Sequence, residues 1–145
     1  YKGLALIADF SYTLGKYMVN NDYFLNTSSS TATQGLNLDR DCLSMWKKPG
    51  DHAKLPAFKY DSQFDTHLLE NSSYMRLKNL QLVYTLPKRW VEATRFFENV
   101  RFNFTGRNIF TVTKFKGVDP EVNSNITAGN YPATRQYTLG VDVTF

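Results

Sequence analysis

The last ten residues of this 145-residue chain, QYTLGVDVTF, alternate strictly between apolar and polar or small side chains. A period of two places every second side chain on the same face of a β-strand. The apolar face of this segment consists of Tyr137, Leu139, Val141, Val143 and Phe145. The segment is therefore predicted to be a strand with one wholly apolar face, and that face needs an apolar environment.

Three other stretches share this alternation, so four strands are predicted, near residues 3–18, 74–86, 100–112 and 136–145. In the first, the apolar phase runs from Leu4 to Leu14 and Asp9 lies on the opposite face. In the third, Phe102 and Phe104 alternate with arginines and other polar residues. The predicted fold class is all-β, an antiparallel up-and-down meander of about four amphipathic strands.

The second stretch breaks its own pattern, because Arg76 and Lys78 put charge on the face that carries Leu80 and Leu82. Two explanations stay open. A β-bulge can shift the phase of the strand at this point. Alternatively, this end of the strand lies beyond the apolar layer.

The connections between the predicted strands are long, short and medium in turn. Over fifty residues separate the first two strands, residues 87–99 join the next two with a helical turn around residues 90–97, and residues 113–135 precede the last. Transmembrane barrels have long extracellular loops, short periplasmic turns and strands of about ten residues. The pattern therefore favours a membrane barrel with one long and one medium extracellular loop.

Composition argues against other classes. The single cysteine, Cys42, excludes an intrachain disulfide and a Cys-cluster metal site. His52 and His67 are the only histidines, and neither stands at a spacing typical of a metal site or of nucleophilic catalysis. The net charge of +4 comes from basic residues in predicted turns, so no nucleic-acid partner is expected. We predict no enzyme activity and no cofactor.

Some polar and aromatic positions are candidates for function. Asp9, Arg101, Arg107 and Asp142 fall on the faces that would line a barrel lumen, either along a substrate path and against a plug, or as an ordinary hydrogen-bond lattice. Trp46 and Tyr131 lie in the two longer loops, where aromatic rings stack on sugars or simply pack the loop. For the lumen-facing residues and for the loop aromatics, the functional and the structural interpretation both stay open.

Several segments form a recognisable set in sequence order: residues 1–15 (YKGLALIADFSYTLG), 73–87 (SYMRLKNLQLVYTLP), 100–119 (VRFNFTGRNIFTVTKFKGVD), 120–125 (PEVNSN) and 129–145 (GNYPATRQYTLGVDVTF). Together they resemble the carboxyl-terminal end of the SusC/RagA-like family of TonB-dependent outer-membrane transporters. They cover about two-thirds of the chain, whereas residues 19–72 match no pattern of the family.

The resemblance implies that the chain supplies the last four strands of a 22-stranded barrel in the outer membrane, with a plug inside. The implied function is import of glycans or peptides. The implied partners are the rest of the barrel and its plug, a SusD-like surface lipoprotein, the TonB complex and membrane lipid. It also implies that the terminal strand, ending at Phe145, is the signal that barrel-assembly machinery recognises.

A soluble β-sandwich that binds carbohydrate through loop aromatics is the alternative. The two hypotheses differ in what covers the apolar faces, which pack on each other in a sandwich and meet lipid in a barrel. Because the chain starts at Tyr1, without a leader, we also expect a mature product or a piece of a longer protein. Neither the imported substrate nor the oligomeric state follows from the residues.

Overall fold

The structure is a computed structural model that describes residues 2–145. These residues form six strands and three short α-helices, and the chain divides into two compact units. The first, called the sheet unit, contains Tyr74–Thr113 and Ala133–Phe145 together with the residues up to Leu14. The second, called the loop unit, consists of Gly15–Ser73 and Lys114–Pro132.

The sheet unit is a four-stranded antiparallel sheet in the order β1-β4-β5-β6. Because each strand pairs with the strand that follows it within the unit, the topology is an up-and-down meander, and the all-β prediction is confirmed. The strands are β1 (Leu4–Thr13), β4 (Tyr74–Thr85), β5 (Asn99–Thr113) and β6 (Gln136–Thr144). A short helix, α3 (Lys88–Glu92), follows Pro87 in the turn between β4 and β5 and begins earlier than the expected turn at residues 90–97.

The first strand is shorter than the predicted span of residues 3–18. Strand β1 ends at Thr13, and Gly15 then takes a φ of 69°, a left-handed conformation that glycine adopts without steric cost. The chain resumes as β2 (Tyr17–Val19), which pairs with β3 (Leu69–Asn71) in a separate two-stranded sheet. Alternation alone does not locate this break, because the apolar phase runs on to Leu14, one residue past the end of the strand.

The irregular phase of β4 is caused by a bulge. The pairing between β4 and β5 shifts between Leu77 and Asn79, and the pairing with β1 shifts at the same place. Relative to β1, Lys78 is the extra residue, and it moves Leu77 and Met75 onto the face that carries Leu80. The first of the two explanations offered by the sequence is therefore correct.

The loop unit has short elements of its own rather than an unstructured linker. Helix α1 (Asn21–Thr27) is capped by the preceding residue, Asn20, whose side-chain oxygen accepts a hydrogen bond from the Tyr23 N–H at 3.0 Å. Helix α2 (Ser29–Thr33) follows, and two short 3-10 helices occupy Arg40–Ser44 and Thr66–Leu68. The Lys16 ammonium donates to the carbonyls of Pro120 and Val122 at 3.0 and 2.6 Å and so joins the two segments of this unit.

Apolar burial differs between the two units. In the loop unit, Met18, Met45, Leu55, Leu68 and Phe115 are buried. In the sheet unit the buried apolar residues are fewer and lie at strand ends, beside the bulge or in the turn: Tyr74, Leu77, Val91 and Val100. No helix within residues 2–145 is long and apolar enough to cross a membrane.

Candidate functional site: two faces of one sheet

One face of the sheet unit is a continuous apolar surface. Residues directly opposite each other in an antiparallel sheet share a face, so the register defines its rows. One row is Leu4, Tyr84, Phe102 and Val141, and the next is Leu6, Leu82, Phe104 and Leu139. Most of these side chains are exposed, and Leu139, near the middle of β6, is 83% exposed. A contiguous exposed apolar surface of this kind indicates an interaction with an apolar partner.

The apolar face is also grooved. Neighbouring rows form a concavity of about 280 Å³. Its walls are the aromatic rings of the two central strands and the aliphatic side chains of β6: Leu82, Tyr84, Phe102, Phe104, Leu139 and Val141. An elongated apolar ligand is the kind of molecule that such a surface accommodates.

The opposite face is polar and internally hydrogen-bonded. Asp9, Asn79, Arg107 and Gln136 stand opposite one another across all four strands. The Asn79 amide donates to Asp9 Oδ2 at 3.0 Å. This face therefore has the hydrogen-bonding character expected of a surface that meets water or polar groups.

The second carboxylate of the polar face is satisfied in the same way. The Asn103 amide donates to Asp142 Oδ2 at 3.1 Å, although Arg101 stands directly opposite Asp142. Gly140 makes this possible, because a Cβ there would lie 2.4 Å from Asn103 Oδ1. The amide thus occupies space that only a glycine leaves open.

The two arginines that the sequence predicts for the polar face, Arg101 and Arg107, are left without an anionic partner within the sheet unit. Arg101 and Arg107 are exposed, and no ion pair involving either occurs among residues 2–145. The sequence places all four predicted polar residues on one face, and the structure brings each carboxylate to an asparagine rather than to an arginine. Asn79 and Asn103 were missed at the sequence level, and their position opposite or diagonal to an aspartate is the signal that identifies them.

The bulge gives Arg76 a place on the polar face. Its Nε donates to Thr111 Oγ1 at 2.7 Å, and its guanidinium carbon lies 5.9 Å from the centre of the Tyr74 ring. Without the extra residue Lys78, this cation would point to the apolar face. The bulge therefore keeps charge off the apolar face.

The end of the last strand packs on the turn between β4 and β5. The Phe145 ring contacts Phe96 edge-on, with ring centres 5.5 Å apart, and Phe97 at 5.6 Å. A main-chain hydrogen bond from the Glu98 N–H to the Thr144 carbonyl, 2.8 Å long, fixes the same corner. Of the five residues predicted as an assembly signal, Phe145 is thus held by neighbouring rings, while Tyr137, Leu139, Val141 and Val143 extend the apolar face. The packing role of Phe96 and Phe97 was not predicted.

The two loop aromatics predicted to contact ligand, Trp46 and Tyr131, have different surroundings. Trp46 is partly buried and its backbone N–H donates to the Leu55 carbonyl, whereas Tyr131 is 96% exposed. Neither ring takes part in an aromatic pair within the described chain. No three His, Cys, Asp or Glu side chains converge on a metal position in residues 2–145.

The loop unit contains one tight polar cluster, centred on Asp61. Its carboxylate accepts hydrogen bonds from the Ser28 hydroxyl and from the N–H groups of Ser29 and Ser62, both at 3.1 Å. These donors, the Ser28 hydroxyl foremost, hold the pKa of Asp61 below its ordinary value. The cluster attaches the segment around Asp61 to the start of α2 and so fixes the shape of the loop.

The comparisons with known proteins identify the same architecture. The TonB-dependent receptor SusC of Bacteroides thetaiotaomicron is 30% identical over 94% of this chain, and TonB-dependent receptor P3 of Formosa agariphila is 28% identical over all of it. The solved structure of the RagAB peptide importer in the closed-closed state is 41% identical over the whole chain, with a TM-score of 0.87. No protein-family model matches the chain.

The chain spans only a small part of these relatives. It covers 14% of SusC, 15% of receptor P3 and 16% of the matched RagAB chain. The RagAB peptide importer in the open-open state gives the same TM-score and identity. The four-stranded sheet thus corresponds to a section of a larger barrel.

Proposed function

We propose that this chain, which is a SusC/RagA-like segment of a TonB-dependent receptor of the outer membrane, forms part of the transmembrane wall of a nutrient importer. One observation carries the proposal. All four strands of the sheet direct apolar side chains to one face, which is left exposed, and the opposite face is mainly polar, with Ile7 and Val83 among its apolar residues. Lipid is the environment that such a face needs.

The polar face is proposed to line the lumen. Asp9 and Asp142 already accept from asparagine amides, so they stiffen the wall rather than bind cargo. Arg101 and Arg107 are exposed and unpaired within the described residues, so they are free to bind carboxylates. We assign these two cations to the plug or to the acidic groups of the cargo.

The terminal strand is proposed as the assembly signal of the barrel. Its apolar residues, Tyr137 to Phe145, stand on the lipid side, and β6 is an edge strand of the sheet unit. An unpaired edge with a regular apolar pattern can be recruited by strand addition. Phe145, at the end of that edge, is the residue that such machinery would contact first.

Substrate and partners remain proposals of the same kind. We propose that the whole receptor takes up peptides or glycans, with peptides the first class to test because the identity to the RagAB peptide importer, 41%, exceeds the 30% to SusC. A barrel of about 22 strands closed by a plug, a SusD-like lipoprotein at the mouth and coupling to TonB complete the proposal. Trp46 and Tyr131 are proposed as cargo contacts at the loops.

The soluble sandwich fits the structure poorly. A sandwich would cover the apolar face of the four-stranded sheet with a second sheet. The only other sheet within residues 2–145 has two strands of three residues each, and Leu82, Phe102, Leu139 and Val141 stay exposed. A carbohydrate-binding sandwich has no further observation in its favour.

The direct test uses the full-length receptor that contains this chain, carrying an epitope tag in its natural host. We expect the protein in the outer-membrane fraction. Deleting its gene should abolish energy-dependent uptake of a labelled oligopeptide, and the wild-type gene should restore it. An R101Q/R107Q double variant should reach the membrane in normal amounts but transport more slowly. Recovery of the receptor as a soluble protein would refute the proposal, and restored uptake of oligosaccharide instead of peptide would change only the substrate class.

A further inference from the structure

The turn between β4 and β5, residues 87–98, has features that lipid packing alone does not explain. Lys88, Arg89 and Arg95 are exposed, and Trp90 is 55% exposed although its neighbour Val91 is buried. Neither Lys88 nor Arg89 forms an ion pair within residues 2–145. The turn therefore presents free cations beside an exposed indole.

Arg89 and Trp90 are also arranged together. The Arg89 guanidinium carbon lies 5.8 Å from the centre of the Trp90 ring, within the range of a cation–π contact. Trp is enriched where apolar core meets polar headgroups. An arginine held against such a ring keeps its donors at headgroup depth, where a phosphate can accept two parallel hydrogen bonds from it.

The apolar face continues into this turn. Phe145, on the apolar side of β6, contacts Phe96, which lies in the turn and is itself exposed. The groove on the apolar face starts at the row of Tyr84, Phe102 and Val141. Tyr84 is three residues before Pro87, so the groove begins about 10 Å from the turn at the rise of a β-strand.

We propose that this corner is a phospholipid site: Lys88 and Arg89 bind the phosphate of the headgroup and one acyl chain lies in the groove between the aromatic rings and Val141. The inference rests on the proposed function, because it needs the apolar face to border lipid. The occupant is an anionic glycerophospholipid, since the two nearest cations lack anionic partners and the groove, with a volume of about 280 Å³, has mainly apolar walls. A bound lipid would hold the turn, and with it the end of β6, at the membrane boundary.

The test is lipid binding by the purified full-length receptor in neutral detergent, followed by native mass spectrometry. Phosphatidylglycerol, phosphatidylcholine and lipid A are titrated separately. We expect the receptor to retain phosphatidylglycerol in preference to the other two. Removing two headgroup cations in K88Q/R89Q should weaken phosphatidylglycerol binding by about 25-fold, at roughly fivefold per basic residue.

Two matched pairs of variants separate this site from general surface effects. R135Q removes an exposed cation at the opposite end of β6 and should leave binding unchanged. V141W should fill the groove and weaken both glycerophospholipids, whereas V112W, on the same face but outside the groove, should not. If the double variant folds poorly, Arg89→Gln alone, at an exposed position, should still weaken phosphatidylglycerol binding, by roughly fivefold.

Three results would overturn the site. They are equal retention of phosphatidylglycerol and phosphatidylcholine, equal loss in K88Q/R89Q and R135Q, or stronger retention of lipid A. If any of these occurs in a receptor that fractionates with the outer membrane and transports, only the lipid site fails. A receptor found in the soluble fraction refutes the site and the proposed function together.

Discussion

The two units of this chain differ in how far leucine side chains of each are exposed. In the loop unit, Leu68 is 1% exposed, whereas in the sheet unit Leu139 is 83% exposed. The loop unit builds its own core from short helices and a small sheet, as a water-exposed segment must. The sheet unit leaves its apolar side chains outside, which the proposed function explains by contact with lipid, where strands bury their hydrophobic face without a second layer of protein.

The strongest way to sharpen this contrast is to truncate the buried leucine. Leu68→Ala should cost the loop unit about 2–5 kcal/mol of local stability, because it removes buried methyl groups and leaves a cavity. Hydrogen exchange of the loop amides in the intact receptor measures this loss. The matched variant Leu43→Ala truncates an exposed leucine of the same unit and should change exchange little. Equal effects from the two variants would contradict a core within the loop unit.

Adding charge to the sheet tests the other half of the contrast. Leu139→Arg should lower the free energy of unfolding of the receptor in lipid vesicles by about 2–4 kcal/mol, the cost of arginine near the membrane midplane. Urea titration followed by tryptophan fluorescence measures it. Thr138→Arg places the same charge on the polar face and should cost less than ~1 kcal/mol. A harmless Leu139→Arg would mean that water, not lipid, meets this face.

The smallest expected effect concerns the polar cluster of the loop unit. The pKa of Asp61 is lowered in the folded protein, so its hydrogen bonds stabilise the loop above the ordinary carboxyl pKa and are lost as the pH falls towards the folded value. Exchange of the Ser29 and Ser62 amides, normalised to their intrinsic rates at each pH, should therefore rise in acid.

A matched pair of variants isolates the cluster. Asp61→Asn should show the faster exchange already at neutral pH and lose the acid response. Asp51→Asn is the control, since Asp51 accepts only from its own turn, at the N–H groups of Lys47 and Lys48. If Asp51→Asn alters the Ser29 amide as much as Asp61→Asn does, the carboxylate cluster does not hold the loop.

The fold of the sheet unit was readable from the sequence because alternation is a local signal. Each strand carries its own period of two, so β5 and β6 appear near their predicted positions. Leu14 fits the phase of β1, and only the backbone of Gly15 shows that the strand has already ended. The sequence offered a bulge near Lys78 as one of two explanations. It could not choose between them, because the register with the partner strands determines whether a residue is left unpaired.

The candidate site was less predictable because its contacts are long-range. The bonds from Asn79 to Asp9 and from Asn103 to Asp142 join residues 70 and 39 positions apart. Polar periodicity predicts that these residues share a face but not which of them pair. The loop unit was least predictable, since its helices are short and the contacts that hold them, such as Ser28 with Asp61, follow no period.

The most direct test of the central claim is to ask which solvent each residue of β6 meets. Cysteines introduced one at a time at Thr138, Leu139, Val141 and Asp142, in a Cys42→Ser background, carry a nitroxide spin label in the receptor reconstituted into lipid. Labels at positions 139 and 141 should collide with oxygen, which partitions into lipid, and those at 138 and 142 with a water-soluble nickel chelate. The same accessibility at all four positions, or the reverse alternation, would contradict a sheet with one face in lipid and the other in the lumen.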